Sequence, residues 1–466
     1  MSRRAPVVPA TVSASLALAL TACGGGVEGM PGGSGVRDPY FPKAGNGGYD
    51  VTHYALTLGY TPDSRRLTGS AVVTARATQD LSAFNLDLDG LDVRSVTVDG
   101  TTARWNHTGQ ELTVRPGDDV EKGTVFRVAV RYSGTPVTVT DPDGSEEGWL
   151  RTPGGALALG QPVGSMAWFP GNHHPSDKAS YDLTVTVPKG LAAVSNGEPA
   201  GERTEGGRTT YTWRTAEPMS SHVATLVIGR YEIRHGRTPD GMPVHSAVDP
   251  AQAEPSRPVL ARLPEVLAWA EDAFGPYPFS SAGAIVVAPD AAGYALETQN
   301  RPVFPGTPDV PLLVHELAHQ WYGNSVTPES WQDMWLNEGF ATYAEWLWEE
   351  EHGGNSAEQT FDALVDHGED LYPDLWAFPP ARPDDAAHIS GSPVYQRGAM
   401  VLHRIRQLLG DDDAFRRLLR DWAAEHRHGN ASTEDFTAYV EQRAPGKDFT
   451  GVWEDWLYGD GKPDRP

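Results

Sequence analysis

The stretch "VHELAHQWYGNSVTPESWQDMWLNEGFATYAEW", residues 314–346, places two histidines, His315 and His319, four positions apart. Pro311 suits the first turn of a helix and Gly323 suits its end, so the sequence predicts one buried helix of about three turns. Residues at positions i and i+4 lie on the same face of a helix. Both imidazoles can therefore reach one point in space.

Two imidazoles that meet at one point are half of a catalytic zinc site, which needs three protein ligands and an open fourth position. Glu338 follows His319 after eighteen intervening residues, enough for a loop and an antiparallel return helix. Glu316 lies beside the histidines, within reach of a water at the metal. The spacing predicts one Zn2+ per chain on His315, His319 and Glu338. The alternative is a pair of hydrogen-bonded core histidines.

Composition excludes several classes of protein. The chain has 466 residues, 39% of them hydrophobic, so we expect a folded protein with two or three domains. Its 62 acidic and 37 basic residues give a formal net charge of -25. This charge repels phosphate backbones, so the sequence predicts no nucleic-acid partner.

The first 23 residues, "MSRRAPVVPATVSASLALALTAC", resemble a lipoprotein signal peptide: a basic start, a short apolar run and a lipobox that ends at Cys23. Cys23 is the single cysteine, which favours its use as a lipid attachment point. The prediction is an extracytoplasmic protein anchored to the cell membrane through a lipid on Cys23. A secreted protein cleaved nearby and a cytosolic protein with an apolar start are the alternatives, and the export route is open.

Three regions follow the leader. Residues 24–48 are rich in Gly and Pro and predict a flexible tether. Residues 49–235 alternate apolar and polar side chains in short segments such as "YDLTVTVP" at 181–188, which predicts a β-sandwich-like amino-terminal domain. Residues 236–466 change to mostly helical periodicity and predict an α+β catalytic domain.

The motifs together resemble the M1 family of zinc aminopeptidases, the gluzincins. The resemblance lies in the HExxH motif with its distant Glu338, in "YALETQ" at 294–299 and in "YQRGAMVLH" at 395–403. It implies a thermolysin-like fold for the catalytic domain. It also implies that Glu297 binds the substrate's free ammonium and that Tyr395 stabilises the oxyanion of the reaction.

Three departures from the family pattern accompany this resemblance. Arg397 stands where lysine is usual. In "LALGQPVGSMAWFP", residues 157–170, Gln161 matches a substrate-binding glutamine, but Val163 stands where the family often has a second carboxylate for the ammonium. The chain also ends soon after the catalytic domain, without the long helical domain that covers the site in larger members, so we expect a more open cleft.

The sequence therefore predicts a zinc-dependent aminopeptidase that hydrolyses the amino-terminal peptide bond of peptides. Glu316 is the predicted general base, because it can take a proton from water and return it to the leaving nitrogen. Its predicted partners are peptides with a free amino terminus. Two alternatives remain: a hydrolase of a non-peptide substrate such as an epoxide, and a surface binding protein without turnover.

Overall fold

The computed structural model describes residues 28–464, which form a sheet-rich first domain followed by a mostly helical second domain. This confirms the predicted fold class. The predicted signal peptide, residues 1–23, and the first four residues of the predicted tether lie outside the described residues.

The first domain is built from strands joined by tight turns. The strands are β1 (Met30–Pro31), β2 (Tyr49–Thr61), β3 (Arg66–Ala77), β4 (Leu81–Asp87), β5 (Asp92–Val98), β6 (Thr101–Thr102), β7 (Arg104–Thr108), β8 (Glu111–Arg115), β9 (Val125–Gly134), β10 (Thr138–Thr140), β11 (Glu146–Thr152), β12 (Gly155–Leu159), β13 (Lys178–Pro188), β14 (Ala192–Ser195), β15 (Glu198–Glu205), β16 (Arg208–Ser220) and β17 (Leu226–Gly229).

These strands form three sheets around a common hydrophobic core. The largest has the order β15-β16-β13-β2-β3-β9-β5-β6, the second β10-β11-β12-β17-β14, and the third β1-β4-β8-β7. In β2 the buried side chains of Tyr54, Leu56, Leu58 and Tyr60 alternate with more exposed ones. The period of two in the sequence therefore gives each strand one face for the core.

The second domain combines a four-stranded sheet and a two-stranded sheet, the latter formed by β22 and β23, with eight α-helices among the described residues. Its strands are β18 (Glu232–Arg237), β19 (Pro243–Val248), β20 (Ala282–Val287), β21 (Val303–Pro305), β22 (Thr327–Pro328) and β23 (Asn430–Ala431). Its helices are α1 (Ala253–Leu260), α2 (Leu263–Phe274), α3 (Val310–Ala318), α4 (Trp335–Glu351), α5 (Ala357–Leu371), α6 (Gly398–Leu409), α7 (Asp412–Glu425) and α8 (Thr433–Arg443), with π-helical turns at Pro393–Arg397 and Val452–Leu457. Across residues 28–464 no helix has both the length and the apolar character needed to cross a membrane.

Strand β20 joins the two domains. It lies inside the sheet β18-β19-β20-β21 and is buried along its whole length. Ala284 and Val286 pack into the core of the second domain, while Ile285 and Val287 pack into the core of the first. Because successive side chains of a strand point to opposite faces, one apolar run can belong to two cores.

The predicted domain boundary between residues 235 and 236 falls inside β18. This strand pairs with β19 over its full length, from Glu232 opposite Val248 to Arg237 opposite Pro243. The second domain therefore begins before Glu232, a few residues earlier than the change in sequence pattern indicates.

The predicted tether over residues 24–48 is wrong for residues 28–48, which pack against both domains. Asp38 is buried, and its carboxylate accepts hydrogen bonds from the backbone N–H of Trp331 in the second domain and from His174 in the first. The glycines serve close packing: a Cβ on Gly32 would lie 2.4 Å from the carbonyl oxygen of Gly47. Composition suggested flexibility, but here glycine allows backbone to contact backbone.

Candidate metal centre and active site

The helices α3 and α4 bring the three predicted metal ligands together. Helix α3 is fixed at its start by Asp309, whose side chain accepts a hydrogen bond from the backbone N–H of Leu312 at 2.9 Å. The helix ends at Ala318, so His319 lies just beyond its last turn. The Nε2 atoms of His315 and His319 each lie 3.3 Å from Oε2 of Glu338 on α4. All three side chains are buried.

The other ring nitrogen of each histidine is held by a hydrogen-bond acceptor. Nδ1 of His315 lies 2.6 Å from Oε1 of Glu345, and Nδ1 of His319 donates to the carbonyl oxygen of Tyr322 at 3.1 Å. Because Nδ1 carries the hydrogen, the lone pair of each Nε2 is free for a metal. Two imidazole nitrogens and one carboxylate oxygen with such outer partners fit zinc.

Sequence reasoning missed Glu345. It follows Glu338 by seven positions on α4 and therefore lies two turns further along the same face of that helix. This spacing was the available signal, but further glutamates follow on the same helix, so the spacing does not single out Glu345. Its contact with His315 links residues 30 positions apart in the chain, which local patterns do not encode.

The three predicted ligands, His315, His319 and Glu338, are called the metal trio, and their charges influence one another strongly. Burial alone would lower the pKa of His315, but its contacts with Glu338 and Glu345 raise that pKa well above its usual value. Burial also lowers the pKa of His319, but the carboxylates of Glu297 and Glu338 outweigh burial and raise that pKa to about 9. Burial raises the pKa of Glu338, but the two imidazoles outweigh this effect and lower the pKa to about 2. The trio attracts positive charge, as a site for a dication must.

Glu316 is buried beside the trio and is not one of its members. Its Oε2 atom has no hydrogen-bond partner among the described residues, and burial raises the pKa of the carboxyl to about 8 against the opposing charges of His315 and His319. Glu316 and Glu297 each place a carboxylate oxygen within 4.8 Å of a ring nitrogen of His319. A buried carboxyl without a partner is costly, and groups of this kind are concentrated at functional sites.

Glu297 lies in the connection between β20 and β21 and is 3% exposed. Its carboxylate accepts a hydrogen bond from Nδ2 of Asn337 at 2.7 Å. Its backbone carbonyl accepts from the side chains of Gln320 and Asn324, which follow the metal-binding histidines. Glu297 is therefore held in a fixed position against the metal trio.

Tyr395 lies in the π-helical turn before α6, which packs against α4. Its ring is nearly parallel to that of His315, with 6.0 Å between ring centroids and 11° between planes. Burial and the charges of Glu338, Glu297 and Glu316 raise the pKa of the phenol well above its usual value. Tyr395 therefore keeps its O–H and can act as a hydrogen-bond donor.

These residues line a cleft of about 850 Å³. Gln161 lines the same cleft, and its backbone carbonyl accepts a hydrogen bond from the hydroxyl of Tyr294 at 3.2 Å. Val163 contributes no carboxylate; its backbone N–H donates to the buried Glu147 at 3.0 Å. A larger groove, of about 1130 Å³, is lined by residues of β14, β15, β16 and β18 and contains none of the predicted site residues.

Both domains match known protein families. Residues 50–223 match the peptidase M1 N-terminal domain, and residues 307–456 match the peptidase family M1 domain. The first match falls in the sheet-rich domain and the second contains α3, α4 and Tyr395.

Solved structures of two-domain proteins are similar over nearly the whole chain. The M1 zinc metallopeptidase from Deinococcus radiodurans is 30% identical, with a TM-score of 0.80, and the match covers 93% of this chain and 98% of that one. A mutant of the metallopeptidase from the same organism, bound to a Tyr-Ser-Ala substrate, is 29% identical with a TM-score of 0.81 and covers 93% and 99%. A two-domain M1 zinc metallopeptidase mutant bound to L-arginine is also 29% identical, with a TM-score of 0.83 and the same coverage.

Longer relatives match as well. Aminopeptidase 2 of Candida albicans is 23% identical over an alignment of 453 positions that covers 88% of this chain and 47% of that protein. Leukotriene A-4 hydrolase of Xenopus laevis is 26% identical over an alignment of 460 positions that covers 89% of this chain and 72% of that protein. The chain spans about half or less of the length of the aminopeptidases it matches. The chain therefore belongs to peptidase family M1, because it has the metal trio, it matches both domains of the family and it resembles two-domain neighbours over their full length.

Proposed function

We propose that this protein is a zinc-dependent aminopeptidase that removes the amino-terminal residue of peptides. The observation that carries the proposal is the placement of Glu297, a buried carboxylate fixed within 4.8 Å of both Glu316 and His319. A carboxylate there lines the cleft and attracts a substrate ammonium. The scissile bond then lies one residue away, beside the metal trio.

His315, His319 and Glu338 would hold the zinc ion, with Glu345 and the carbonyl of Tyr322 fixing the orientation of the two rings. When bound, zinc supplies Lewis acidity, which makes water a nucleophile near neutral pH.

Glu316 is the proposed general base. Its Oε2 has no partner among the described residues, and a zinc ion on the trio would lower the pKa of this carboxyl, so that the carboxylate can accept the proton of the attacking water. The carboxylic acid formed can then donate that proton to the leaving nitrogen, so one residue serves both steps.

Tyr395 and Glu297 act on the substrate itself. The phenol of Tyr395 stays protonated and can donate a hydrogen bond to the oxygen that becomes negative during attack. Glu297 would hold the ammonium, and Asn337 fixes the direction of its carboxylate. Gln161, which lines the cleft beside them, is proposed to assist substrate binding.

The experiment is a panel of chromogenic amino-acid amides, assayed with and without a chelator. We expect hydrolysis that is lost with the chelator and restored by zinc. Glu316→Gln should retain zinc and lose at least about 100-fold in kcat, because it removes the base but none of the ligands. A Glu316→Gln enzyme with nearly wild-type turnover would exclude this residue as the base.

The same panel, with one epoxide substrate added, separates the two alternative functions. Retained zinc with no hydrolysis of any amide would favour a binding protein, and hydrolysis of an epoxide alone would favour a non-peptide hydrolase. The structural neighbour bound to Tyr-Ser-Ala supports the peptide assignment.

We further propose that the protein is exported and anchored to the outer face of the cell membrane through a lipid on Cys23. The support is the sequence of residues 1–23, which lie outside the described residues. Cys23→Ser should abolish labelling with a lipid precursor and release the protein from the membrane fraction. Wild-type protein that is wholly soluble and unlabelled in its native cell would contradict the anchor.

A further inference from the structure

Arg397 belongs to the same π-helical turn as Tyr395, and its guanidinium is buried among backbone carbonyls. The side chain is 0% exposed. Its nitrogens donate to four carbonyl oxygens, those of Trp456 (2.9 Å), Asp455 (2.9 Å), Gly459 (2.5 Å) and Phe378 (3.3 Å). We call these four acceptors the carbonyl cage. Three of them belong to the carboxy-terminal segment 452–459 and one to the loop before the π-helical turn.

The cage suits a planar group with several donors. A guanidinium offers five N–H groups in one plane, whereas a lysine ammonium offers three in a tetrahedral arrangement. The chain around the cage is also packed too tightly for larger residues, since a Cβ on Gly459 would lie 2.5 Å from the carbonyl oxygen of Glu454. The cage therefore accounts for arginine at a position where family resemblance leads us to expect lysine.

The other end of the turn is held against the metal-binding helix. Gly398, which begins α6, touches Gly339 on α4, and Gly339 follows the metal ligand Glu338. A Cβ on Gly339 would lie 2.9 Å from the carbonyl carbon of Gly398. The segment with Tyr395 is thus held on one side by a glycine–glycine contact with α4 and on the other by the carbonyl cage.

We propose that Arg397 is a positioning residue for Tyr395, through which the carboxy-terminal segment 452–459 fixes the phenol at the metal centre. The proposal rests on the proposed function of Tyr395 as oxyanion donor. A π-helical turn contains an extra residue and is less stable than a regular α-helical turn, so it needs outside contacts to persist. Without the cage the turn can relax toward α-helix, which would rotate Tyr395 away from His315.

Kinetics provide the first test, as a double-mutant cycle of Arg397→Gln and Tyr395→Phe in the zinc-loaded enzyme. Arg397→Gln should lower kcat about tenfold and leave KM and zinc content nearly unchanged, because a misplaced catalytic group affects the chemical step. In the Tyr395→Phe background the same substitution should have no further effect on kcat. Arg397→Lys, which keeps the charge but not the planar fork, should be intermediate, and it replaces the Gln variant in the cycle if that variant does not fold.

The matched control is Arg404→Gln. Arg404 lies on α6 with its Cζ 5.5 Å from the ring centroid of Trp456, so it contacts the same carboxy-terminal segment without entering the cage. This substitution should leave kcat unchanged even where it lowers the melting temperature. A general loosening of the segment is thereby separated from the loss of the cage.

A second readout does not depend on turnover. 3-Fluorotyrosine introduced at position 395 should give one narrow fluorine resonance in the wild type and in Arg404→Gln, and a shifted or broadened one in Arg397→Gln and Arg397→Lys. An unchanged resonance in both Arg397 variants, or an equal loss of kcat with and without the Tyr395 hydroxyl, would overturn the proposal. A wild type that hydrolyses no amide would overturn the proposed function instead, and the fluorine resonance would still decide the role of Arg397.

Discussion

Glu297 offers the sharpest test of the aminopeptidase assignment, through the substitution Glu297→Gln. The amide has nearly the same shape, and its oxygen can still accept the hydrogen bond from Asn337 that the carboxylate accepts at 2.7 Å. The substitution therefore removes one negative charge from a position that is 3% exposed and leaves the packing intact.

The size of the expected decrease in kcat/KM follows from the burial of that charge. Truncating one partner of a buried charge pair costs about 2 to 5 kcal/mol. Because glutamine can still accept a hydrogen bond from the ammonium, the lower part of the range applies. A loss of about 2.7 kcal/mol corresponds to about a 100-fold decrease in kcat/KM. Zinc content should not change, since Glu297 is not one of the three ligands.

The assay compares one leucine-initiated peptide with its amino-acetylated form on both enzymes. The wild type should cleave the free peptide at least about 100-fold better than the acetylated one. Glu297→Gln should reduce that preference strongly, because only the free peptide has an ammonium whose contact with the Glu297 carboxylate is lost. Asp143→Asn is the matched control, since Asp143 is an exposed carboxylate that lines the same cleft. Equal cleavage of both peptides by the wild type would contradict the role of Glu297 in binding the ammonium and would indicate an endopeptidase.

Three further predictions concern the surroundings of the site. Glu345→Gln should weaken zinc binding about 10- to 100-fold, measured by competition with a chelator, because Glu345 holds the ring of His315; unchanged affinity would show that the contact is incidental. Lys178→Met should lower the free energy of unfolding by about 3 kcal/mol, measured in denaturant, because Nζ of Lys178 donates to three backbone carbonyls of the second domain. The cleft is lined by seven carboxylates and by no lysine or arginine among the described residues, so arginine amide should exceed glutamate amide in kcat/KM by about tenfold or more, with a smaller ratio at high salt. A preference for the glutamate amide would contradict this.

Local patterns in the sequence were sufficient for the two histidine ligands and for the fold class. His315 and His319 are four positions apart, and helix geometry alone brings them to one face. The alternation of apolar residues likewise predicts strands such as β2, because each strand needs one face for a core. These properties depend on neighbours within about two helical turns or along one strand, so the chain can be read for them directly.

Local composition was misleading for residues 28–48. Glycine can make a chain flexible, or it can allow two backbone segments to pack in contact, and the local sequence does not distinguish these roles. In residues 28–48 glycine has the second role. The buried carboxylate of Asp38 links both domains through contacts 136 and 293 positions away. No window of sequence contains both partners, so the tether prediction could not be corrected without the fold.

Short-range periodicity in the sequence predicted that His315 and His319 share one helix face and that a sheet-rich domain precedes a helical one, and the spacing to Glu338 added the third predicted ligand. The tertiary structure establishes which groups surround that site. It buried Glu297 against Asn337, set Glu345 behind His315 and enclosed Arg397 in four carbonyls beside Tyr395. Each of these contacts joins residues 30 or more positions apart or depends on how two elements pack. Such contacts are set by the folding of the whole chain, and the residues that make them look ordinary in their local sequence.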